Sequence, residues 1–182
     1  MKIVAIIPAR LKSSRLNRKL LIKINDLEII EHVRRRAIMS NVFEDVYVAT
    51  GDEEIEELIQ NNKGNIIRTS KYHDNGTSRV AEAVKNIDAT HVVLIQGDEP
   101  LILPKHLKKM VEHIKKFPEY DAHNEIAKID NASYLDEKSE VKCAINEKGR
   151  IIYCFRRSPS HCDKNDQFTY IKKMLGLIGY KR

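Results

Sequence analysis

Short, apolar, β-branched runs set at helix-length intervals constrain this chain more than any other feature. They are Ile3-Val4-Ala5-Ile6-Ile7, Asp45-Val46-Tyr47-Val48-Ala49 and His91-Val92-Val93-Leu94-Ile95. Each is strand-length, and the first is closed by Pro8. Runs of this kind read as strands buried on both faces, as in the middle of a parallel sheet. Amphipathic stretches lie between them. Glu28 to Met39 puts Ile29, Ile30, Val33, Ala37 and Ile38 on one helical face and leaves Arg34-Arg35-Arg36 as a solvated face. A helix from Asp52 to Asn62 carries carboxylates at its amino end. Another is marked by Val80, Ala81, Val84 and Ile87. A fourth opens at Pro104, with Leu107, Met110, Val111 and Ile114 in an i, i+3, i+4, i+7 stripe. Shorter strands are expected at Leu20–Ile24 and Asn65–Arg68.

This alternation runs to about residue 117 and predicts βαβ units on a parallel sheet. The pattern then changes. Asp121 to Asp130 reads as a strand, and Glu140–Ile145 and Arg150–Phe155 flank Asn146-Glu147-Lys148-Gly149 as a hairpin. Arg156 to Gln167 reads as a polar loop, and Phe168 to Tyr180 suits helix or strand equally. With no repeat or linker, residues 1–182 are expected to form a single domain. Its class is α/β: a three-layer, doubly wound, mixed but mainly parallel sheet with a β-rich C-terminal portion.

Net charge is +6, from 32 Lys and Arg against 26 Asp and Glu. The excess is mild and dispersed, so it suits an acidic small molecule at least as well as nucleic acid. Trp is absent and aromatics are few, which argues against a base-stacking platform. Cys143, Cys154 and Cys162 show no CxxC spacing and read as reduced thiols packed as small hydrophobes. No apolar stretch reaches the length of a membrane span, and the chain starts directly with a core strand, so a cytoplasmic protein without membrane contact is expected.

The chemistry concentrates in loops that follow strands. After the first run come Arg10, Lys12, Arg15, Arg18 and Lys19, with Ser13 and Ser14 among them. The loop has no glycine, no GxGxxG and no Walker A lysine motif, so it is not an ordinary dinucleotide site or P-loop. Lys71–Arg79 follows a later strand, and Gln96-Gly97-Asp98-Glu99-Pro100 follows the run at 91–95. Strand carboxyl ends lie together in a parallel sheet, so the three loops are expected at one edge. A cationic loop facing carboxylates suits a nucleoside triphosphate, with Mg²⁺ bridging its phosphates to Asp98. A plain turn aspartate or helix cap is the alternative for Asp98.

Several segments, taken together, resemble the 3-deoxy-manno-octulosonate (Kdo) cytidylyltransferase family, within the sugar-nucleotide transferase superfamily. They are Ile7-Pro8-Ala9-Arg10 with Ser14-Arg15-Leu16 and Lys19; Val48-Ala49-Thr50; His73 with Gly76-Thr77 and Arg79; Gln96-Gly97-Asp98-Glu99-Pro100; Val141-Lys142; Tyr153 with Arg156; and Gly176 with Gly179-Tyr180. The resemblance implies a nucleotide-diphospho-sugar transferase-like fold. It implies an enzyme of bacterial lipopolysaccharide synthesis that joins CTP to an acidic 2-keto sugar, giving CMP-sugar and pyrophosphate. By that resemblance Pro8, Ala9, Arg10, Ser14, Arg15, Lys19, Gly76, Thr77, Arg79 and Gln96 hold the nucleotide. Arg10, Arg15, Lys19 and Asp98 carry catalysis, and Asp98 takes the metal. Gln96 and Arg156 meet the sugar, Arg156 at its carboxylate.

The chain also departs from the family pattern. Leu16-Asn17-Arg18-Lys19 stands where Leu-Pro-Gly-Lys is usual, Gly51 where Asp is usual, Asn75 where Ser is usual, and Met174 where a histidine is frequent. Family members run on past the position of Arg182, with a second metal-binding aspartate and part of a dimer interface. The alternatives are therefore a synthetase for a sialic-type acid and a truncated, non-catalytic nucleotide-binding relative, with a homodimer left open.

Overall fold

The computed structural model describes residues 1–12, 16–158 and 162–182, with only the backbone of Asn165. In chain order the strands and helices are β1 (Ile3–Pro8), β2 (Lys23–Ile24), β3 (Leu27–Glu28), α1 (Ile29–Met39), β4 (Val46–Thr50), α2 (Glu53–Asn61), β5 (Asn65–Arg68), α3 (Gly76–Ala83), β6 (His91–Ile95), α4 (Pro104–Lys116), β7 (Ala122–Ala127), β8 (Lys142–Ile145), β9 (Ile151–Phe155), α5 (Lys164–Gln167) and β10 (Ile171–Lys181). The chain packs as two compact units. One is Met1–His123 with Gly176–Arg182; the other is Asn124–Leu175.

In the first unit, β5, β4, β1 and β6 lie side by side and parallel, and the last residues of β10 run antiparallel to β6. The chain steps outward from β1 to β4 and β5, then returns to β6 on the other side of β1. That reversal makes a switch point between β1 and β6. All six residues of β1 are buried, and the strand pleat divides them between two layers. Ile3, Ala5 and Ile7 join Ile30 and Val33 of α1, Ile55 and Ile59 of α2 and the Leu107–Ile114 stripe of α4. Val4 and Ile6 face Val80 and Ala83 of α3. The chain is thus the expected mixed, mainly parallel sheet between helices.

The second unit is mostly antiparallel. β8 pairs with β9 across the predicted turn, where Gly149 has φ +75°, and with residues 171–173 of β10. Ile129, Leu135 and Ile171 form its small core with Phe155, Phe168 and Tyr170 packed on it. No helix among the described residues is long and apolar enough to cross a membrane.

Three local expectations need correction. Leu20–Ile24 is not one strand: a 3-10 turn covers Lys19–Leu21, then Lys23–Ile24 pairs with Leu27–Glu28 across Asn25-Asp26, both at positive φ. The triple arginine is not wholly solvated. Arg34 is buried, its Nε and Nη2 each 2.6 Å from a Glu31 carboxylate oxygen, while Ile38 is exposed. Within the polar loop Arg156–Gln167, Lys164–Gln167 form a short helix.

Candidate active site

The carboxyl ends of β1 and β6 and the amino end of α3 enclose a cleft of about 240 Å³ in the first unit. From β1 come Pro8, Ala9 and Arg10, then Lys12 and Lys19. From α3 and the loop before it come His73, Asn75, Gly76 and Arg79. Past β6 stand Gln96, Gly97 and Asp98. Of the residues expected to hold nucleotide or metal, Pro8, Ala9, Arg10, Lys19, Gly76, Arg79, Gln96 and Asp98 therefore meet at one place. Ser14 and Arg15 lie outside the described residues. Thr77 is exposed in the first turn of α3 and does not line the cleft.

The base of the cationic loop is pinned. Arg18 N donates to Leu11 O at 2.9 Å, closing the neck of the loop. Leu11 N donates to Asp52 Oδ2 at 2.9 Å, and the Arg18 guanidinium pairs with Glu54. The carboxylates at the start of α2 thus hold both ends of the loop. Arg18 has φ 59° and ψ 23°, the left-handed region, at the position where the resembling family has glycine. That conformation favours glycine, so Arg18 holds it at a steric cost.

The second wall is built around α3. The Asn75 side chain caps the helix, accepting from Ser78 N at 2.9 Å. Gly76 lets the helix end approach β1, since a Cβ there would lie 3.0 Å from Pro8 Cγ. His73 is held through its ring, with Nε2 2.7 Å from Glu82 Oε2 and Nδ1 3.2 Å from Ser78 Oγ. Glu82 also accepts from Ser70 N and Oγ, and these hydrogen bonds, the backbone one first, hold its carboxyl below the usual range. The His73 carbonyl accepts from Arg10 Nη1 at 3.3 Å, which ties the wall to the first loop.

Arg79 differs from its neighbours. It is buried, and its guanidinium donates to Thr69 Oγ1 at 2.5 Å, Ser70 O at 3.1 Å and Lys71 O at 3.3 Å. Burial lowers its pKa, with Arg10 adding to the effect and Asp52 and Glu82 opposing it. Arg79 shapes the cleft by fixing residues 69–71. Arg10, Lys12 and Lys19 supply its positive charge.

On the third wall, Lys19 Nζ donates to Asp98 Oδ2 at 2.8 Å. Asp98 is a hard oxygen donor, partly exposed and already facing a positive charge. The described residues hold no group of three or more His, Cys, Asp or Glu side chains suited to a metal. A single carboxylate fits Mg²⁺, which takes one or two protein carboxylates and completes its octahedron with water and phosphate oxygens.

Arg156 lies in the second unit. Its Nη1 donates to Lys138 O and Ser139 O, both at 2.9 Å, and the buried Lys142 ammonium donates to Glu137 O at 2.6 Å. Both cations fasten the turn at residues 137–140. Burial depresses the Lys142 ammonium below the ordinary lysine range.

A switch-point cleft with cations on one side and a carboxylate on the other, and no glycine-rich phosphate loop, defines a nucleotidyltransferase of the α/β class. The comparisons with known proteins agree. A family model described as cytidylyltransferase matches residues 4–182, and the chain belongs to that family. The 3-deoxy-manno-octulosonate cytidylyltransferase of Escherichia coli is 33% identical over 181 residues, covering 100% of this chain and 73% of that protein. The 8-amino-3,8-dideoxy-manno-octulosonate cytidylyltransferase of Shewanella sp. (strain W3-18-1) is 32% identical over 184 residues, covering 99% and 75%. A solved structure of CMP:2-keto-3-deoxy-manno-octonic acid synthetase complexed with CTP superposes with a TM-score of 0.91, at 31% identity, over 100% of this chain and 74% of that one.

Sequence reasoning missed the residues that hold the site residues in place. Asp52 and Glu54 read as helix-end carboxylates, and Glu82 carries no signal of its own in the sequence. Their partners lie 41, 36 and 9 residues away, so no local pattern announces them.

Proposed function

We propose that the chain transfers a cytidylyl group from CTP to 3-deoxy-manno-octulosonate, releasing pyrophosphate. The observation that carries this is the meeting of Lys19 from the β1 side and Asp98 from the β6 side in the switch-point cleft. Arg10, Lys12 and Lys19 neutralise the triphosphate, and Arg15 joins them on sequence grounds. The amino end of α3 adds the partial positive charge of its free N–H groups. Gln96, at the end of β6, orients a hydroxyl of the nucleoside or sugar, and Arg156 takes the sugar carboxylate. The sugar's anomeric hydroxyl attacks the α-phosphorus in line with the departing pyrophosphate, so the protein's part is alignment and charge neutralisation rather than a covalent intermediate. Asp98 is the residue that would hold Mg²⁺, which supplies Lewis acidity and charge neutralisation when bound. The enzyme acts as a single cytoplasmic domain over residues 1–182 with no nucleic-acid or membrane partner, and a homodimer is compatible with this chemistry.

The test is pyrophosphate release from CTP and Mg²⁺ with Kdo, with its 8-amino-3,8-dideoxy analogue, with a sialic acid, and with no sugar. Release with Kdo above all others supports the proposal. The Shewanella relative favours the amino sugar as a second reading, and preference for that analogue would move the assignment there. Absence of release with every sugar, while CTP still raises the melting temperature, would leave a nucleotide-binding protein without turnover. Asp98→Asn is expected to abolish Mg²⁺-dependent release without unfolding the chain.

A further inference from the structure

Asp98 already has a counter-charge. The Lys19 ammonium donates to Asp98 Oδ2 at 2.8 Å, and both side chains stay partly exposed, at 36% and 43%. Lys19 follows directly on the pinned neck of the cationic loop, so its stem starts from a fixed point. Two features make this pair more than a surface salt bridge. It joins the group that would hold phosphate to the group that would hold metal, and it lies in the wall of the cleft that takes both.

We propose that Lys19 closes the Asp98 metal site in the nucleotide-free protein, so that the divalent cation is admitted together with the triphosphate. This rests on the assignment of Asp98 as metal-holding residue in the proposed function. An ammonium on a carboxylate oxygen competes directly with a metal for that oxygen. The competition matters here because one carboxylate alone is a weak site, with no three-residue cluster beside it among the described residues. Triphosphate oxygens change the balance. They offer Lys19 a denser negative charge and offer the metal its missing ligands, so one exchange satisfies both. Lysine suits this role: it is a point charge on a flexible stem that swings between acceptors, where a forked guanidinium would lock onto one. An exposed pair is weak, so the exchange costs little. The coupling is reciprocal: nucleotide raises metal affinity, and metal raises nucleotide affinity by the same factor.

Mn²⁺ binding to the full chain, read from the electron paramagnetic resonance of free Mn²⁺, tests this without turnover. Lys19→Met is expected to bind Mn²⁺ about three- to tenfold more tightly than the parent when no nucleotide is present. Lys19→Arg, which keeps the charge, is expected to stay near the parent, and Lys19→Met combined with Asp98→Asn to lose the gain. An unchanged affinity in Lys19→Met, or a gain that survives Asp98→Asn, overturns the proposal. The same titration with CTP separates it from the function it rests on. If Asp98→Asn leaves Mn²⁺ binding with CTP intact, the metal assignment falls and the gate with it. If Asp98→Asn removes that binding while Lys19→Met changes nothing without CTP, only the gate falls. Thermal melts of each variant confirm that the chain is folded.

Discussion

The backbone of Lys71 crosses Gly51 so closely that a Cβ on residue 51 would lie 2.7 Å from Lys71 Cα, 2.9 Å from Lys71 N and 2.9 Å from Ser70 O. The obstacle is backbone, and Arg79 braces that backbone from the other side through Ser70 O and Lys71 O. Gly51→Ala should therefore lower stability by about 1–3 kcal/mol, as overpacking does, and Gly51→Asp by at least as much. Both should also weaken CTP, because His73, which holds Arg10, lies two residues past Lys71. Urea unfolding and CTP titration check this. Full stability in Gly51→Ala would show that the loop yields.

Arg18 sets two effects against each other. Its left-handed backbone costs a non-glycine residue roughly 1–2 kcal/mol. Its exposed pair with Glu54 returns about 0–1 kcal/mol. Arg18→Gly should match or exceed the parent in stability, and Arg18→Ala, with neither benefit, should fall below it. Thermal melts rank the three, and a glycine variant less stable than the alanine variant would contradict the strain argument.

Glu31 and Arg34 make the buried ion pair of the first unit. Two of its hydrogen bonds are 2.6 Å, and Arg34 Nη2 also donates to Asn62 O at 3.0 Å, joining α1 to the end of α2. Glu31→Ala leaves a buried guanidinium without its carboxylate and should cost about 3–5 kcal/mol. Glu31→Ala with Arg34→Met should recover much of that loss. A double variant as unstable as the sum of the singles would show that the pair is not energetically coupled.

His91 and His123 are both buried, and burial lowers both pKa values. Lys181 adds to the effect at His91, and His113 and His91 add to it at His123. His113 and His123 also meet Nδ1 to Nδ1 at 3.0 Å, so the pair cannot keep a donor and an acceptor once both rings are protonated. A depressed histidine contributes no pH dependence above its unfolded pKa, about 6.5. Below that the unfolded chain takes up protons that the folded chain refuses, so stability falls with pH. Melting temperatures from pH 7.5 to 5 should decline, and His123→Gln should flatten the decline. An unchanged slope in that variant would place its source elsewhere.

Cys143 and Cys154 face each other across the β8–β9 pair. Cys143 is fully buried and its thiol is pushed up to about 11, chiefly by burial, while Cys154 and Cys162 are exposed. Alkylation at pH 8 should label Cys143 only after unfolding, since the thiolate is the reactive form. Labelling of Cys143 in the native chain at the rate of Cys162 would contradict its burial.

The layers of the first unit are legible because their signals are strong and local. β1, β4 and β6 are runs of apolar residues with no competing period, and the α4 stripe fits one helical face along its length. The same holds for the β8–β9 hairpin, which its turn residues Asn146–Gly149 announce, though not the register shift between Ala144 and Ile145. What escaped is what depends on distant partners. Asn25-Asp26 is a left-handed turn that the eye passes over without a glycine. Arg34 looks like one of three equal arginines until Glu31 and Asn62 are placed beside it. At the cleft, the residues that would meet ligand were visible from their types and from resemblance, and most of them converge. The carboxylates that position them, Asp52, Glu54 and Glu82, carry no signature because a bracing residue is defined by its partner.

The first unit takes in Met1–His123 and then Gly176–Arg182, so the whole second unit is spliced into it as one long excursion of the chain. The strand that borders β6 therefore leaves the ribosome only after the whole second unit. Until it arrives, one edge of a highly apolar strand lacks its backbone partner while the loops that line the cleft are already made. Synthesis and folding are out of step by construction, and closing that long loop carries the entropic delay of a non-local contact. A chain stopped before that return would show chaperones an open sheet edge beside a nearly formed cleft, so quality control here would depend on the returning strand rather than on the cleft.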